Sequence, residues 1–383
     1  MKPSRLLQQL LNYGHALAKH ARGGFRVTPP DTIAARLAIC QACPDGRFTG
    51  TACDACGCQV SAQLDAFRNK LAMATEACPL GHWKDVDSPQ RPLLTVGMAV
   101  YDDFDGAYFT LRALDLYHPH LRGRWELLVI DNHPQFPPPD PARAPTCSER
   151  LRDLCANLPG ARYEQPPVPV GTSAPRNAVF DLARGEVVIC VDSHVLLAPG
   201  AIDKTLQWLG DNPDFHGLFQ GPLLYDNNEV STHMDRVWSD QMLGVWGTSD
   251  QYEGPNGRPF PIDLQGLGLF GCRRGDWLGF NRRFREFGGE EGYIHDKYRA
   301  AGREVVCLPW LEWAHRFHAG PIKYPASIRE RIKNYLRGRI ELGQDIDDIH
   351  EHFFVSRDYH APRYRPEEWA DILREVQAEE AQS

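Results

Sequence analysis

The stretch Glu186-Val-Val-Ile-Cys-Val-Asp192-Ser193-His194 decides the predicted fold and contains the first candidate site. Its five apolar residues, 187–191, are mostly β-branched, which predicts a buried strand over 186–191. In open α/β sheets, ligands bind just beyond the carboxyl ends of the strands. Asp192 and His194 therefore form a candidate site for Mn²⁺ or Mg²⁺, because such cations take oxygen or imidazole ligands. A tripeptide matches by chance too often to identify a site alone.

Strands and helices alternate on both sides of this stretch. Apolar, β-branched runs predict strands at 93–100, 125–130, 186–191 and 304–308. Apolar residues at helical spacing predict helices at 4–22, 105–116, 148–157, 177–182, 291–301, 326–343 and 366–379. The proline-rich segment 134–145 predicts a loop, and 222–262 predicts an irregular, substrate-facing region. This alternation predicts an α/β fold with a mostly parallel sheet and helices on both faces.

The composition is that of a folded protein outside the membrane. Hydrophobic residues make up 42% of the 383 residues, and no run approaches the roughly eighteen apolar residues of a membrane span. The N-terminal leucines are interrupted by Gln8, Gln9 and Asn12, which argues against a secretory signal. The formal net charge of −8 lacks the basic excess of a dedicated nucleic-acid binder.

Six of the eleven cysteines lie close together, in the patterns Cys40-x-x-Cys43, Cys53-x-x-Cys56-x-Cys58 and Cys78-Pro-Leu-Gly-His-Trp83. Two such CxxC pairs can offer four thiolates to one tetrahedral Zn²⁺. A module this short buries too little core to fold alone, so metal binding would supply its folding energy. We predict a structural zinc site with Cys40 and Cys43 as ligands, completed by two or more of Cys53, Cys56, Cys58 and Cys78. Two zinc ions with bridging thiolates, an iron–sulfur cluster and disulfides are the alternatives.

The segment from Arg36-Leu-Ala-Ile-Cys40 to Trp83 resembles a zinc-ribbon-like module of bacterial and phage proteins. The resemblance implies no activity, since such ribbons bind nucleic acid or protein or brace a neighbouring domain. A closed four-thiolate site has no open position for catalysis. A reducing cytoplasm, in a bacterial or phage-infected cell, is the expected location.

Further motifs surround Asp192-Ser193-His194 in order along the chain. They are Gly171-Thr-Ser-Ala-Pro-Arg176-Asn177, Gly266-Leu-Gly268-Leu-Phe270, Phe287-Gly-Gly-Glu290-Glu291 and Trp313-Ala-His315-Arg316-Phe317. Over roughly residues 93–318 the chain resembles family-2 glycosyltransferases of the GT-A fold, in particular the polypeptide N-acetylgalactosaminyltransferase branch. That branch has a strand ending in Asp-Ser/Ala-His, a Gly-Gly-Glu-Asn segment that opens a helix, and a later Gly-His-Val-Phe-Arg segment. The ordered combination is more specific than any single motif.

The resemblance implies a donor site for a nucleotide-sugar, expected to be UDP-linked. The divalent cation would be bound by Asp192, His194 and His315. The nucleoside pocket would be lined by Tyr101, Asp102 and Asp131, and Arg176 would lie near the nucleotide.

The same resemblance places the sugar and the acceptor. Gly266 and Gly268 would let the sugar approach the backbone, and Glu290 would hydrogen-bond donor or acceptor hydroxyls. Glu291 departs from the pattern: the polypeptide-modifying branch has Asn there and retains configuration, whereas inverting family-2 enzymes typically have an Asp general base. A glutamate within hydrogen-bond reach can deprotonate an acceptor hydroxyl, so inversion is favoured.

Each candidate also has a purely structural explanation. Asp192 could cap a helix, and Arg176 could form a surface ion pair. Glu290 and Glu291 could be first-turn helix charges. His315 could be a packed histidine between Trp313 and Phe317, with His318 as the rival ligand.

The acceptor is suggested only by a basic run after the core, made of Lys323, Arg329, Arg331, Lys333, Arg337 and Arg339. On a helix, Arg329, Lys333 and Arg337 share a face that could contact nucleic-acid phosphates. Together with the zinc module, this suggests transfer to hydroxymethylated pyrimidines in DNA, with the base extruded or unpaired. A solvated helix face, with a protein, glycan or lipid-linked acceptor, is the competing explanation.

The predicted organisation has four parts. They are an N-terminal helix and linker at 1–38, the zinc-ribbon-like module at 39–88, the GT-A domain at 89–318 and a C-terminal helical extension at 319–383. A degenerate transferase domain kept as a binding module is the non-enzymatic alternative.

Overall fold

The computed structural model describes residues 5–22, 27–63, 69–84, 92–134, 144–316, 324–356 and 365–381. The chain divides into two compact units, residues 1–90 and residues 91–383. Among the described residues, no helix combines the length and the apolar composition needed to cross a membrane. Most of the predicted loop 134–145 and the linker at 85–91 lie outside the described residues.

The first unit contains the helices α1, Arg5–Arg22, and α2, Pro30–Gln41, and a 3-10 turn at Lys70–Ala72. The helix predicted at 4–22 is thereby confirmed. The small core of this unit consists of Ile33, Val60, Leu71, Ala72 and Trp83. This core is too small to fix the surrounding turns without other contacts.

Buried Arg36 supplies such contacts in the first unit. Its guanidinium donates to Thr28 Oγ1 at 3.2 Å, Leu71 O at 3.0 Å and Lys84 O at 2.5 Å. It also stacks 4.5 Å from the centre of the Trp83 ring. One side chain therefore joins α2 to the segments before and after the 3-10 turn.

The second unit contains fourteen strands among its described residues. They are β1 Leu94–Val100, β2 Trp125–Asp131, β3 Ala161–Glu164, β4 Val187–Asp192, β5 Val195–Leu197, β6 Leu218–Gln220, β7 Leu223–Leu224, β8 Val230–Ser231, β9 His233–Ser239, β10 Met242–Gly247, β11 Phe260–Pro261, β12 Leu269–Arg273, β13 Val305–Cys307 and β14 Trp313–His315. The described helices of this unit are α3 Phe104–Tyr117, α4 Cys147–Ala156, α5 Ser173–Leu182, α6 Ala201–Asp211, α7 Glu290–Ala300, α8 Ile328–Glu341, α9 Asp347–His350 and α10 Pro366–Glu380.

Eight strands form the main sheet, in the order β11-β13-β6-β12-β4-β1-β2-β3. The segment from β4 to β3 is parallel, while β12 runs antiparallel to β4 and β6. Strands β1, β2 and β4 are buried on both faces, as expected for parallel strands covered by helices. The predicted mostly parallel α/β fold is confirmed.

The region 222–262, predicted to be irregular, contains several short strands. Strands β7 and β8 join β5 and β14 in a four-stranded sheet, and β9 pairs with β10 as a separate ribbon. Helix α5 begins at Ser173, earlier than the predicted 177, because Pro175 is tolerated within a first helical turn. The C-terminal helices α8 to α10 belong to the same compact unit as the sheet.

Candidate active site

The carboxyl ends of three neighbouring strands form the edge that carries the candidate site. In the parallel registers, Ala99 of β1 lies opposite Asp192 of β4, and Val100 lies opposite Asp131 of β2. The Asp192 N–H donates to Gly268 O at 2.9 Å, which fixes the end of β4. Strand order reverses around β1, and such switch points are where α/β sheets bind ligands.

The predicted metal ligands come together at this edge. Ligand atoms of Asp192, His194 and His315 all lie within 4.8 Å of one another. The two Nε2 atoms of His194 and His315 are 3.1 Å apart, and His315 Nε2 lies 3.6 Å from Asp192 Oδ2. Strand β14 brings His315 here by pairing with β5, where His315 lies opposite Val195. One carboxylate and two imidazoles converging on one point fit a divalent cation such as Mn²⁺.

Asp103, which the sequence did not single out, orients His194. Asp103 Oδ2 accepts hydrogen bonds from Ser193 Oγ at 2.6 Å and His194 Nδ1 at 2.8 Å. The same residue caps α3 by accepting from the Gly106 N–H at 3.2 Å. Burial alone would raise the pKa of Asp103, but these hydrogen bonds hold that pKa well below its usual range. With Nδ1 bound to the carboxylate, Nε2 of His194 is directed at the metal position.

Arg176 interacts with two carboxylates at the cluster. Its guanidinium is 7% exposed and donates to Asp192 Oδ1 at 2.8 Å. A second nitrogen lies 3.5 Å from Glu290 Oε1. Burial alone would raise the pKa of Asp192, but Arg176 and the two histidines keep that pKa well below its usual range. Asp192 is therefore a carboxylate with one oxygen held by Arg176 and the other directed towards His315.

The two adjacent glutamates at the start of α7 have different surroundings. The Glu290 carboxylate is fully buried and accepts from Thr172 Oγ1 and from the Gly288 N–H at 2.8 Å. Both of these bonds are made within the protein, and the prediction that Glu290 hydrogen-bonds substrate hydroxyls stays a prediction. Burial and the charge of Glu290 raise the pKa of Glu291 to about 8.

Two glycines make this helix start possible. Gly288 and Gly289 have φ values of 104° and 91°, the left-handed region that side chains rarely adopt. A Cβ on Gly288 would also lie 2.5 Å from Arg331 Nε. The Gly-Gly pair thus lets the chain turn tightly into the two glutamates.

Aromatic residues surround the predicted nucleoside pocket. The Tyr101 ring lies 4.8 Å from the His133 ring and 5.9 Å from the Tyr324 ring. Asp131 is buried and accepts from Tyr163 Oη at 2.7 Å and the His133 N–H at 2.9 Å. Asp102 follows β1 with a φ of 50°, so the chain turns sharply there. These placements keep Tyr101 available to a nucleoside, whereas Asp131 already has two protein donors.

Tyr324 is a site residue whose position sequence reasoning missed. Its ring also lies 6.0 Å from the Phe287 ring. Burial, followed by the negative charge of Asp192, raises the pKa of Tyr324 to about 12. In the sequence it is one aromatic residue beside a basic run, and only the fold places it beside Asp192.

Gly266 and Gly268 face tryptophans. A Cβ on Gly266 would lie 2.6 Å from the Trp246 ring, and one on Gly268 would lie 2.6 Å from the Trp313 ring. Packing therefore requires a glycine at both positions, and the approach of a sugar to them stays a prediction.

The basic helix face predicted to contact nucleic acid is occupied by acidic residues. Arg329 pairs with Glu375 at 2.5 Å, and Arg337 pairs with Glu379 at 2.9 Å. Lys333 pairs with Glu330, Glu375 and Glu379 at 3.2, 3.0 and 3.7 Å. These ion pairs, with Glu375 and Glu379 of α10 and Glu330 of α8, lie on the face predicted to contact phosphates, and that contact stays a prediction. Lys323, Phe317 and His318 lie outside the described residues.

In the first unit, four of the six clustered cysteines line one small cavity. They are Cys40, Cys43, Cys53 and Cys78, joined there by His82. Turns close at these cysteines: the Cys43 N–H donates to Cys40 O at 3.2 Å, and the Gly81 N–H donates to Cys78 O at 3.0 Å. All eleven cysteines lie in described residues, and none forms a disulfide.

Cys56 and Cys58 do not line that cavity, but the Cys56 thiol shares a hydrogen bond with the Cys53 thiol, which does. Cys56 and Cys58 are buried, at 6% and 7% exposure. A hydrogen bond with Cys56 lowers the pKa of Cys58 to about 7, and Lys70 contributes to that shift. Lys70 in turn lies 3.4 Å from Glu76. The contact between Cys53 and Cys56 therefore connects these two thiols to the four that line the cavity.

The family Glycosyl transferase family 2 matches residues 120–236, a segment that includes Asp131, Arg176, Asp192 and His194. No curated protein matches the sequence.

Among solved structures, GalNAc-T7 with UDP, GalNAc and Mn²⁺ superposes with a TM-score of 0.53 at 15% identity, over 78% of this chain and 56% of that chain. At that identity the likeness shows the fold alone. The chain spans just over half of that protein's length.

Two further structures are more distant. The mannosyltransferase PcManGT from Pyrobaculum calidifontis in complex with GDP-Man and Mn²⁺ has a TM-score of 0.40 at 16% identity, over 76% of this chain and 70% of that chain. TarS 1-349 from S. aureus has a TM-score of 0.41 at 12% identity, over 67% of this chain and 68% of that chain. These TM-scores are too low to carry an argument. The family match spans less than half of the chain, and the fold is similar to that of GalNAc-T7.

Proposed function

We propose that this protein is a metal-dependent glycosyltransferase that uses a nucleotide-sugar donor, expected to be UDP-linked. The observation that carries the proposal is the convergence of Asp192, His194 and His315 at the carboxyl edge of the sheet, the first two within the segment that matches glycosyl transferase family 2. These three residues would hold Mn²⁺ or Mg²⁺. When bound, the cation supplies Lewis-acid stabilisation of the leaving nucleoside diphosphate.

Residues around the cluster have positioning roles in this proposal. Asp103 sets the tautomer of His194, and Arg176 holds one oxygen of Asp192. Tyr101 and Tyr324 offer aromatic surface to the nucleoside, and Asp131 and Asp102 follow the strands on that side. Pre-positioned ligands of this kind avoid reorganisation during the reaction.

Glu291 is the proposed general base. It takes the proton from an acceptor hydroxyl as that oxygen bonds to the anomeric carbon, while the bond from that carbon to the diphosphate oxygen breaks. A carboxylate with a pKa near the working pH is suited to this transfer. The attack comes from the face opposite the leaving group, so the anomeric configuration of the sugar is inverted. NMR of the product tests this step, and a retained anomer would exclude it.

The first unit is proposed to bind structural zinc. Support comes from the shared cavity of Cys40, Cys43, Cys53 and Cys78, which offers four sulfur ligands of the kind zinc takes in structural sites. Cys56 and Cys58, beside Lys70, are the remaining thiols of the predicted set.

The acceptor proposal is a hydroxymethylated pyrimidine in DNA, with a protein, glycan or lipid-linked hydroxyl as the competitor. The basic residues of α8 that suggested phosphate contacts are paired with glutamates, so the DNA acceptor rests chiefly on the zinc module. Labelled UDP-sugars incubated with hydroxymethylated DNA, plain DNA, peptides and glycans separate the two. Transfer to peptide or glycan, with none to either DNA, would exclude the DNA acceptor.

Donor hydrolysis tests the function as a whole. We expect release of nucleoside diphosphate from a panel of nucleotide sugars in Mn²⁺ or Mg²⁺ and loss of that release in Asp192→Ala. Loss of a metal contribution of about 4 kcal/mol corresponds to a roughly 10³-fold decrease in rate. A binding module with a degenerate transferase fold would release no diphosphate from any donor.

A further inference from the structure

A second group of metal-ligating side chains lies at the far end of α3. His118 ends α3, His120 follows in a 3-10 turn, and Asp203 lies in the first turn of α6. One ligand atom from each side chain lies within 4.8 Å of the other two. The three residues of the catalytic cluster meet the same limit, so the two groups are comparable in their ligand spacing.

Two of the three side chains are exposed and contact each other, and the third is a buried imidazole ring. His120 Nε2 lies 2.8 Å from Asp203 Oδ1, and the two side chains are 49% and 45% exposed. His118 is only 2% exposed and packs edge-on against Trp125, with ring centres 6.0 Å apart.

The ligand chemistry identifies the class of cation. Two imidazoles and one carboxylate favour zinc and neighbouring transition metals over Mg²⁺ or Ca²⁺, which prefer oxygen ligands. Three protein ligands would leave one position for water.

The position of this group separates it from the catalytic cluster. Helix α3 has 14 residues, so its two ends lie about 20 Å apart. Asp103 caps the first end, and His118 forms the other. Strand β5, directly after His194, leads into α6 and Asp203. The group therefore joins the two segments that begin at the catalytic cluster.

We propose that His118, His120 and Asp203 form a second divalent-metal site, for a zinc-class cation, that ties the end of α3 to the start of α6. Bound metal adds to the direct contact between His120 and Asp203 that already links the turn after α3 to α6. Its effect is to stabilise the segments that carry Asp103 and His194.

The test counts zinc bound to the full-length protein. Metal-stripped wild type, His120→Ala and the control His216→Ala are dialysed against micromolar free Zn²⁺, and the metal is measured by mass spectrometry. His216 is a matched control, since it is an exposed histidine paired with Asp276 at 3.0 Å outside the group. We expect His120→Ala to bind about one zinc per chain fewer than the other two proteins.

A second readout and a second variant keep the test decisive. Zinc should raise the Tm of His120→Ala less than that of wild type, since one stabilising ligand site is lost. If His120→Ala fails to match the circular dichroism of metal-stripped wild type, Asp203→Asn takes its place. Equal zinc counts in wild type and the variant, or the same loss in His216→Ala, would overturn the proposal.

Discussion

The catalytic cluster and the cysteine module differ in what holds their ligands in place. At the cluster, Asp192 ends a fully buried strand, Asp103 bonds His194, and Arg176 bonds Asp192. In the module, Cys40 lies in the last turn of α2, the other cavity-lining cysteines lie outside helices, and the unit's small core contains five buried apolar residues. A large fold can hold metal ligands in position before the metal binds. A small unit instead depends on its bound metal to stabilise its fold.

The largest expected effect comes from removing a module ligand. Structural zinc contributes on the order of 10 kcal/mol to small zinc domains, so Cys43→Ser should unfold the first unit. The second unit should remain folded, because its sheet and core are separate. Limited proteolysis should cut residues 1–90 and leave 91–383 intact.

Cys147→Ser is the control for that experiment, since Cys147 is a half-buried cysteine of the second unit. Equal protease resistance of Cys43→Ser and Cys147→Ser would mean that the module folds without its metal. The cysteine module and the catalytic cluster would then not differ in their dependence on metal.

The next largest effect concerns the base at the cluster. Glu291→Gln should lower the transfer rate by roughly 10²- to 10⁴-fold, the usual contribution of a general base. Glu291 must be ionised to accept a proton, and its pKa is raised to about 8. Wild-type activity should therefore rise as pH increases through about 8, and the variant should lack that rise in its pH profile.

Glu290→Gln provides the comparison for Glu291→Gln. Because Glu290 bonds Thr172 and the Gly288 N–H, its loss should lower the Tm. The pH-dependent rise should persist in Glu290→Gln. A rise that disappears in Glu290→Gln and persists in Glu291→Gln would reverse the assignment.

A smaller effect is expected from the residue that orients His194. Asp103→Asn keeps the shape but removes the charge, and loss of such partners typically weakens metal binding by roughly 10- to 100-fold. Titration of Mn²⁺ should measure this weakening, with Asp105→Asn as the exposed control, 73% open at its side chain. Unchanged Mn²⁺ affinity in Asp103→Asn would mean that the Asp103 carboxylate does not orient His194 for metal binding.

The smallest effect should come from the equivalent contact in the module. Trp83 Nε1 donates to Cys40 Sγ at 3.4 Å. Trp83→Phe removes this hydrogen bond, worth about 1 kcal/mol, so zinc affinity should fall roughly fivefold in a competition assay with a chelator. If Trp83→Phe lowered zinc affinity by a larger factor than Asp103→Asn lowers Mn²⁺ affinity, the ligands of the module would be held in place more strongly than those of the cluster.

The sequence predicted the parts of the fold that depend on local pattern. Strands β1, β2 and β4 follow from continuous apolar runs, and the metal ligands follow from a motif at a strand end. Strands of two or three residues, such as β7 and β11, carry too little pattern to be recognised.

The contacts that complete the site could not be predicted in the same way. Asp103 and His194 are 91 residues apart, and only folding brings them together. Glu290 and Glu291 are adjacent, yet successive helix residues point about 100° apart, so one is enclosed by hydrogen bonds and the other is not. The face of α8 is basic in sequence, but its partner α10 lies about 40 residues further along the chain, beyond the range of helical periodicity.

The central claim is that a divalent cation lies between Asp192, His194 and His315. The most direct measurement is anomalous diffraction at the manganese edge from crystals grown with Mn²⁺ and UDP. The account predicts a peak bonded to Asp192 Oδ2 and to Nε2 of both histidines, with the diphosphate of UDP completing the coordination. A manganese peak elsewhere with UDP bound, and none among these three residues, would contradict it.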